Sequence, residues 1–111
     1  MSEQAIKVLL VDDHTVVRAG FRMLLASQSF IGDIVDVDRG ELATQEYNRF
    51  QPDVVVMDLS MPGIGGLELI DKIRETKKTK HIPIILLTAL GDDKSKIESM
   101  QKGADDFITK P

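Results

Sequence analysis

Short runs of β-branched and other apolar residues alternate along this chain with stretches of helical spacing, and this alternation constrains the fold more than any other feature. Near-continuous apolar strands are typical of a parallel sheet that helices cover on both faces. Right-handed crossovers between such strands make the sheet doubly wound. The candidate strands are residues 6–11, 34–37, 54–57, 82–87 and 107–109. The pattern therefore predicts an α/β domain with a doubly wound, five-stranded parallel sheet.

Four stretches between these strands space their apolar residues as one face of a helix does. Their stripes are Val17, Phe21, Leu24 and Leu25; then Leu42, Ala43, Glu46, Tyr47 and Phe50; then Leu67, Ile70 and Ile73; and lastly Ile97 with Met100. Gly103 directly follows the last stripe, where a glycine commonly ends a helix. The predicted element order is β-α-β-α-β-α-β-α-β, in one domain that covers residues 1–111.

Composition and charge narrow the function classes. The formal net charge is -4, which gives no support to direct nucleic-acid binding because such binding needs a basic face. The chain has no cysteine, so disulfide frameworks and thiolate metal sites are excluded. Its longest apolar runs are too short to span a bilayer, and residues 1–7 lack the pattern of a signal peptide. We therefore expect a cytoplasmic domain that binds neither a membrane nor nucleic acid directly.

Polar side chains follow four of the predicted strands, at the edge where open α/β sheets bind ligands. Asp12 and Asp13 follow the first strand, Asp58 the third, Thr88 the fourth and Lys110 the fifth. Three neighbouring carboxylates repel one another, and a bound hard cation such as Mg²⁺ removes that repulsion. A helix N-cap would also explain the pair Asp12 and Asp13, but a further charge at the exit of a buried strand favours a site.

A carboxylate at such a site can attack phosphorus and form an aspartyl phosphate. A metal would neutralise the developing charge, Lys110 would supply a second positive charge, and the Thr88 hydroxyl would donate to a phosphoryl oxygen. Taken alone, Thr88 would be an ordinary strand-end residue and Lys110 a surface lysine. The three carboxylates together favour a catalytic role for Asp58 and Lys110.

Four segments in register resemble the receiver domains of two-component response regulators. They are residues 11–13 (VDD), 57–63 (MDLSMPG), 87–89 (LTA) and 104–111 (ADDFITKP). The resemblance runs over the whole chain, and four matches in the right order are far more specific than any one of them. It implies a flavodoxin-like sheet with strand order 2-1-3-4-5. It also implies a phosphoryl donor, either a sensor histidine kinase or a histidine phosphotransfer protein.

The resemblance further implies a role for each site residue, position by position. Asp58 is implied to be the phosphoacceptor. Asp13, Asp58 and the Ser60 carbonyl are implied to bind Mg²⁺ directly, and Asp12 is implied to hold it through water. Thr88 and Lys110 are implied to sense the phosphoryl group, and Phe107 to be the rotating switch. The peptide bond between Lys110 and Pro111 is implied to be cis. Activation is then expected to change the face built on the fourth helix and the fifth strand.

Two further expectations concern what surrounds the domain. Residues 12–20 resemble receivers joined to LuxR-type helix-turn-helix outputs, whereas the later motifs resemble receivers joined to winged-helix or cyclase outputs, so no output domain or effector is assigned. In the family a fifth helix follows the Lys-Pro pair at which this chain stops. Without that helix, we expect Val8, Leu10 and Val55 or their neighbours to be partly exposed. The chain would then be either a fragment of a longer receiver or a domain whose exposed face is covered by a second copy in a homodimer.

Other function classes stay open on the residues alone. A haloacid-dehalogenase-like, Mg²⁺-dependent phosphohydrolase also uses an aspartate nucleophile, although its nucleophile follows the first strand in a D-x-D pattern. A non-catalytic module would bind FMN, whose phosphate Asp12 and Asp13 would repel, or would dock partners without being phosphorylated. His14 beside these aspartates either ligates a transition metal or simply opens the first helix, and the second interpretation is favoured.

Overall fold

The computed structural model describes residues 5–58, 66–75, 82–88 and 93–109, in which strands and helices alternate. The strands are β1 (Ile6–Val11), β2 (Ile31–Val37), β3 (Val54–Asp58), β4 (Ile84–Thr88) and β5 (Asp106–Thr109). The helices are α1 (Thr15–Ala26), α2 (Gly40–Phe50), α3 (Gly66–Glu75) and α4 (Asp93–Lys102). This is the predicted element order.

The strands form one parallel sheet in the order β2-β1-β3-β4-β5. Because β1 pairs with both β2 and β3, successive crossovers run in opposite directions along the sheet and place helices on both faces. The α/β class, the doubly wound parallel sheet and the strand order 2-1-3-4-5 are therefore confirmed. The strand order reverses between β1 and β3, and sheets of this kind bind ligands at such a point, beyond the carboxyl ends of the strands.

Three strands begin at other residues than the apolar runs predict, and one of them is β5, which begins at Asp106 rather than at residue 107. β2 begins at Ile31 rather than at residue 34, because Ile6 pairs with Ile31 before an irregularity in the ladder. β4 begins at Ile84 rather than at residue 82, because Pro83 has no N–H group to donate to a ladder. The Pro83 carbonyl still accepts a hydrogen bond from the Val55 N–H at 3.0 Å. The apolar pattern thus locates the strands, and their pairing partners set their ends.

Apolar side chains pack on both faces of the sheet. The larger cluster consists of Leu9, Val11, Val37, Ala43, Tyr47, Val55, Met57, Leu69, Ile70, Ile73, Ile84, Leu86 and Ala104, and α2 and α3 contribute to it. The smaller cluster on the other face consists of Val8, Leu10, Val56 and Leu87, with Phe21 and Leu25 of α1 packed against it. Full burial of one Leu or Ile side chain contributes about 1.5–3 kcal/mol relative to exposure.

The expected exposure of Val8, Leu10 and Val55 is wrong, since these side chains are 1%, 0% and 0% exposed. Val55 lies on the opposite face, in the larger cluster, because neighbouring residues of a strand point to opposite faces. Phe21 and Leu25 of α1 pack against the cluster that contains Val8 and Leu10.

One exposed apolar surface lies instead on α1 and the turn that follows it. Its side chains are Val16, Met23, Leu24 and Phe30. A groove of about 230 Å³ runs beside them, lined by Val17, Gly20, Phe21 and Leu24. None of the described residues of α1 is fully buried, so this helix packs on the sheet through only part of its predicted stripe.

The stripe predicted on α4 does not face the core. Ile97 and Met100 are both exposed, whereas Ser99 is buried. The helix ends in a turn in which the N–H groups of Gly103 and Ala104 both donate to the Ser99 carbonyl, at 3.2 and 3.0 Å. Gly103 has a φ of 126°, as a helix-ending glycine can adopt without strain, so its predicted role is confirmed.

Candidate functional site

β1 and β3 place two aspartates side by side at the carboxyl edge of the sheet. Val11 pairs with Met57 in the parallel register, so the chain reaches Asp12 and Asp58 at the same level. Both side chains are buried, whereas the side chain of the following Asp13 is 25% exposed. The structure thus brings together the three aspartates that the sequence placed at one edge.

The His14 ring lies among these three carboxylates. Its Nδ1 atom is 3.1 Å from Asp12 Oδ1, 3.2 Å from Asp13 Oδ1 and 3.3 Å from Asp58 Oδ2. The backbone N–H of His14 also donates to Asp12 Oδ1, at 2.9 Å. His14 is the N-cap residue of α1, and its side chain makes no capping hydrogen bond. It therefore opens the helix, as the sequence favoured, and in addition turns its ring into the acidic cluster.

The donor atoms of this cluster fit a divalent cation. One donor atom from each of Asp12, Asp13, His14 and Asp58 lies within 4.8 Å of all the others. Carboxylates this close repel one another when they are charged, and a cation between them relieves the repulsion. Asp13 Oδ1 is buried and accepts no hydrogen bond from the described residues. Carboxylate oxygens are the ligands that Mg²⁺ prefers, so the three aspartates of the cluster are suited to it.

Thr88 ends β4 beside the cluster, because Leu87 pairs with Asp58 on β3 and Thr88 is the next residue. The Thr88 side chain is buried, and its Oγ1 atom has no hydrogen-bond partner in the part of the chain that the structure describes. A buried polar group in that state costs about 1–3 kcal/mol, which is tolerated most readily where a ligand is to be bound. Phe107 lies on the next strand, paired with Leu86, and is 39% exposed.

Some of the predicted residues lie outside the described ranges. They are Ser60, expected to offer its carbonyl to the metal, Lys110, expected to contact a phosphoryl oxygen, and Pro111. The peptide bond between Lys110 and Pro111 lies there as well. Their roles stay predictions, and the described part of the site is the acidic cluster with His14 and the Thr88 hydroxyl.

Arg18 is a neighbour of the site that the sequence did not single out. Its Nη1 atom donates to the Asp12 carbonyl at 2.8 Å, which ties α1 to the end of β1. Its Nε atom is 3.9 Å from Asp36 Oδ1, and Arg22 Nη1 donates to the other oxygen of Asp36 at 2.8 Å. Helical spacing places Arg18 and Arg22 on one face of α1, and that periodicity was the available signal.

Residues 8–111 match the model of the response regulator receiver domain family. The chain belongs to this family. The transcriptional regulatory protein YdfI of Bacillus subtilis is 38% identical, over 94% of this chain and 47% of that protein. The phosphate regulon transcriptional regulatory protein PhoB of Rhizobium meliloti is 32% identical, over 95% of this chain and 45% of that protein. The chain thus spans about half the length of these relatives.

A solved receiver structure agrees with this assignment. The response regulator domain of Thermotoga maritima CheB superposes with a TM-score of 0.86 at 31% identity, covering 97% of this chain and 80% of that one. The chain is therefore a signalling domain of the two-component type, and the comparisons give no support to a phosphohydrolase or a flavin-binding module. Among the described helices, none is long and apolar enough to cross a membrane.

Proposed function

We propose that this receiver domain accepts a phosphoryl group on Asp58 from a sensor histidine kinase or a histidine phosphotransfer protein. The observation that carries the proposal is the register of β1 and β3, which gathers Asp12, Asp13 and Asp58 at one edge of the sheet. Membership of the receiver family supports the same role for Asp58. The domain would catalyse no reaction beyond its own phosphorylation and dephosphorylation.

The proposed chemistry is a direct transfer between two side chains. A carboxylate oxygen of Asp58 attacks the phosphorus of a phosphohistidine, and the new P–O bond forms as the P–N bond breaks. The electron pair of the P–N bond stays with the donor imidazole, which leaves and takes up a proton from solvent. Such a transfer needs mainly positioning and stabilisation of charge. Burial of Asp58 at the end of β3 supports this, because it restricts the orientations of the attacking oxygen.

Mg²⁺ is the proposed cofactor, held directly by Asp13, Asp58 and the Ser60 carbonyl and through water by Asp12. When bound, it supplies positive charge that balances the charge developing on the phosphoryl oxygens. The contacts of Asp12 support a positioning role. Its carbonyl accepts a hydrogen bond from Arg18 Nη1, which holds the end of β1 against α1.

In this proposal Thr88 and Lys110 contact the phosphoryl oxygens, and Phe107 is the conformational switch. The buried Thr88 hydroxyl supports its part, since it has a hydrogen to donate and ends the strand next to Asp58. Movement of Thr88 towards a phosphoryl group would change the space available to the Phe107 ring. Phosphorylation would thereby shift the population between two packings that differ in their interactions.

The face of α4 and β5 is the proposed output surface. Its exposed apolar side chains are Ile97, Met100, Phe107 and Ile108. An exposed apolar surface of this kind is suited to another protein chain, which supports an effector there. The expected setting is the cytoplasm, and no output domain is assigned.

Mass spectrometry of the chain after incubation with acetyl phosphate and Mg²⁺ tests the proposal. Phosphorylation of Asp58 is expected, and it should be lost in Asp58→Asn and when EDTA removes the metal. Asp38→Asn is the matched control, because Asp38 is an exposed carboxylate that pairs with Arg39 at 3.0 Å rather than with the cluster. Phosphorylation of Asp58→Asn at the wild-type level, or of the wild type in excess EDTA, would contradict the proposal.

A further inference from the structure

We propose that the His14 imidazole is a nitrogen ligand of this metal site, so that the domain binds a transition-metal ion of the Zn²⁺ and Co²⁺ class more tightly than Mg²⁺. The inference rests on the proposed function for the three carboxylates it shares. It goes beyond that function by adding a fourth protein donor, of a different chemical type, and by naming the class of ion that this donor selects.

The position of His14 Nδ1 suits a shared ion. Its distances to one oxygen each of Asp12, Asp13 and Asp58 are 3.1, 3.2 and 3.3 Å. Donor atoms bound about 2.0–2.2 Å from one tetrahedral or octahedral ion lie roughly 2.8–3.6 Å apart where they are neighbours. The three distances from the nitrogen fall inside that interval, so the nitrogen is placed as a ligand beside each oxygen would be, and the four donor atoms lie within 4.8 Å of one another.

Hydrogen bonding by the ring accounts for only part of this arrangement. An imidazole Nδ1 carries at most one hydrogen, so it can donate to one of the three oxygens around it. The shortest contact, to Asp12 Oδ1, has the geometry of a hydrogen bond. The contacts with Asp13 and Asp58 are nearly as short, and a cation at the centre of the four atoms would satisfy all of them together.

The local backbone places the ring beside the cluster. His14 has extended backbone torsions, with φ of -89° and ψ of 108°, and its side chain makes no hydrogen bond that caps α1. Its own N–H instead donates to Asp12 Oδ1 at 2.9 Å, which fixes the residue beside the cluster. The ring is 56% exposed, so an ion can approach from solvent between the ring and the carboxylates.

The donor set decides which ion is preferred. Imidazole is a good ligand for Zn²⁺, Co²⁺ and Ni²⁺, whereas Mg²⁺ prefers oxygen and keeps several of its waters. An imidazole added to the oxygen ligands of the site therefore favours the transition-metal ion. The chain has no cysteine and two histidines, His14 and His81, so a signal from a metal-bound histidine ring has to be assigned between only these two residues.

Co²⁺ is the probe for the experiment, which uses the whole chain. Calorimetric titration gives the affinities for Co²⁺ and Mg²⁺, and proton NMR of the Co²⁺ form detects a strongly shifted, exchangeable ring N–H of a coordinated histidine. His14→Ala should lower the ratio of Co²⁺ to Mg²⁺ affinity by about tenfold or more, since even outer partners of metal ligands act on that scale. It should also remove the shifted ring resonance. His81→Ala is the matched control and should retain both.

A second variant keeps the test independent of folding. His14→Asn retains a side chain that is favourable at a helix N-cap, so α1 should form, but it has no imidazole. It too should lose the shifted resonance. Absence of that resonance from the wild type, or an unchanged affinity ratio in folded His14→Asn, would overturn the inference while leaving Mg²⁺-dependent phosphorylation of Asp58 intact. Co²⁺ binding through His14 without phosphorylation of Asp58 would instead contradict the proposed function and support the inference.

Discussion

Val11 and Met57 pair across the parallel ladder of β1 and β3, and this register places Asp12 and Asp58 next to each other one residue further along. Both aspartates are buried, at 0% and 2% exposure. Two carboxylates at this depth are costly unless a partner offsets their charge. The strength of that repulsion, and its relief by a cation, can be measured from the stability of variants.

Asp13→Asn should stabilise the metal-free domain. It removes one of three neighbouring negative charges without changing the shape of the side chain, so the free energy of unfolding in EDTA should rise by about 1 kcal/mol or more. In saturating Mg²⁺ the wild type should regain the advantage, because the variant has lost a ligand and gains less from binding. Urea unfolding with and without Mg²⁺ measures both effects.

Asp38→Asn is the control for that experiment. A hydrogen bond from Arg39 lowers the pKa of Asp38, so the folded state favours its charged form. That pair contributes stability above the unfolded pKa and loses it as the pH falls through the folded pKa. Asp38→Asn should therefore not stabilise the domain near neutral pH, in EDTA or in Mg²⁺. A stabilisation equal to that of Asp13→Asn would show that lower net charge, rather than the cluster, is responsible.

Thr88→Val should separate the stability of the site from its response to phosphorylation. Replacing the buried hydroxyl with a methyl group of similar size removes a polar group without a partner among the described residues, so unfolding should become harder by about 1 kcal/mol. The variant should still accept a phosphoryl group but should lose the change at the Phe107 ring. NMR of the aromatic protons with and without beryllofluoride measures that change.

Thr109→Val is the matched control, because Thr109 pairs with Thr88 on β5 and is exposed. Its stability and its Phe107 response should both resemble those of the wild type. If beryllofluoride moves the Phe107 ring in Thr88→Val as it does in the wild type, Thr88 is not part of the switch.

Truncation of a buried apolar side chain on β1 and of an exposed one on α1 should change the free energy of unfolding by different amounts. Leu10→Ala, in the smaller core cluster, should lower the free energy of unfolding by about 2–5 kcal/mol through lost burial and a cavity. Leu24→Ala should change it by about 0.5 kcal/mol or less, because the Leu24 side chain is 60% exposed. Urea unfolding at several protein concentrations is the measurement. A large, concentration-dependent loss in Leu24→Ala would show that a second chain covers the α1 groove.

The parts of this molecule that the sequence predicts are those set by local signals. The strands are apolar runs, and Asp12 and Asp58 each follow one directly, so their meeting at one edge follows from the parallel sheet. The direction of the His14 ring is not a local property, because the ring lies among carboxylates from two strands. The exposure of Ile97 and Met100 is not local either, since it depends on which face of α4 packs against the rest of the domain.

Arg74 shows the same limit, because its partners lie in two separate loops, one before β4 and one between α4 and β5. Its guanidinium donates to the Gly103 carbonyl at 3.1 and 2.6 Å, to the Ile82 carbonyl at 2.7 Å and to Asp105 Oδ2 at 2.9 Å. Asp105 Oδ2 in turn accepts a hydrogen bond from the Ile84 N–H at 2.8 Å. One side chain of α3 therefore links the end of α4 to the beginnings of β4 and β5.

Arg74→Met should lower the free energy of unfolding by about 1.5–3 kcal/mol, because it leaves carbonyl groups and a carboxylate without their charged donor while it keeps the apolar stem. Arg49→Met is the control, since the Arg49 side chain is 67% exposed and pairs with Glu46 on its own helix, an arrangement that stabilises little. Urea unfolding compares the two. Because the links of Arg74 end at β4 and β5, its loss should also speed amide hydrogen exchange in β5 before it does so in β1. Equal small effects of both substitutions on stability, with β5 exchange unchanged, would show that packing alone holds these elements together.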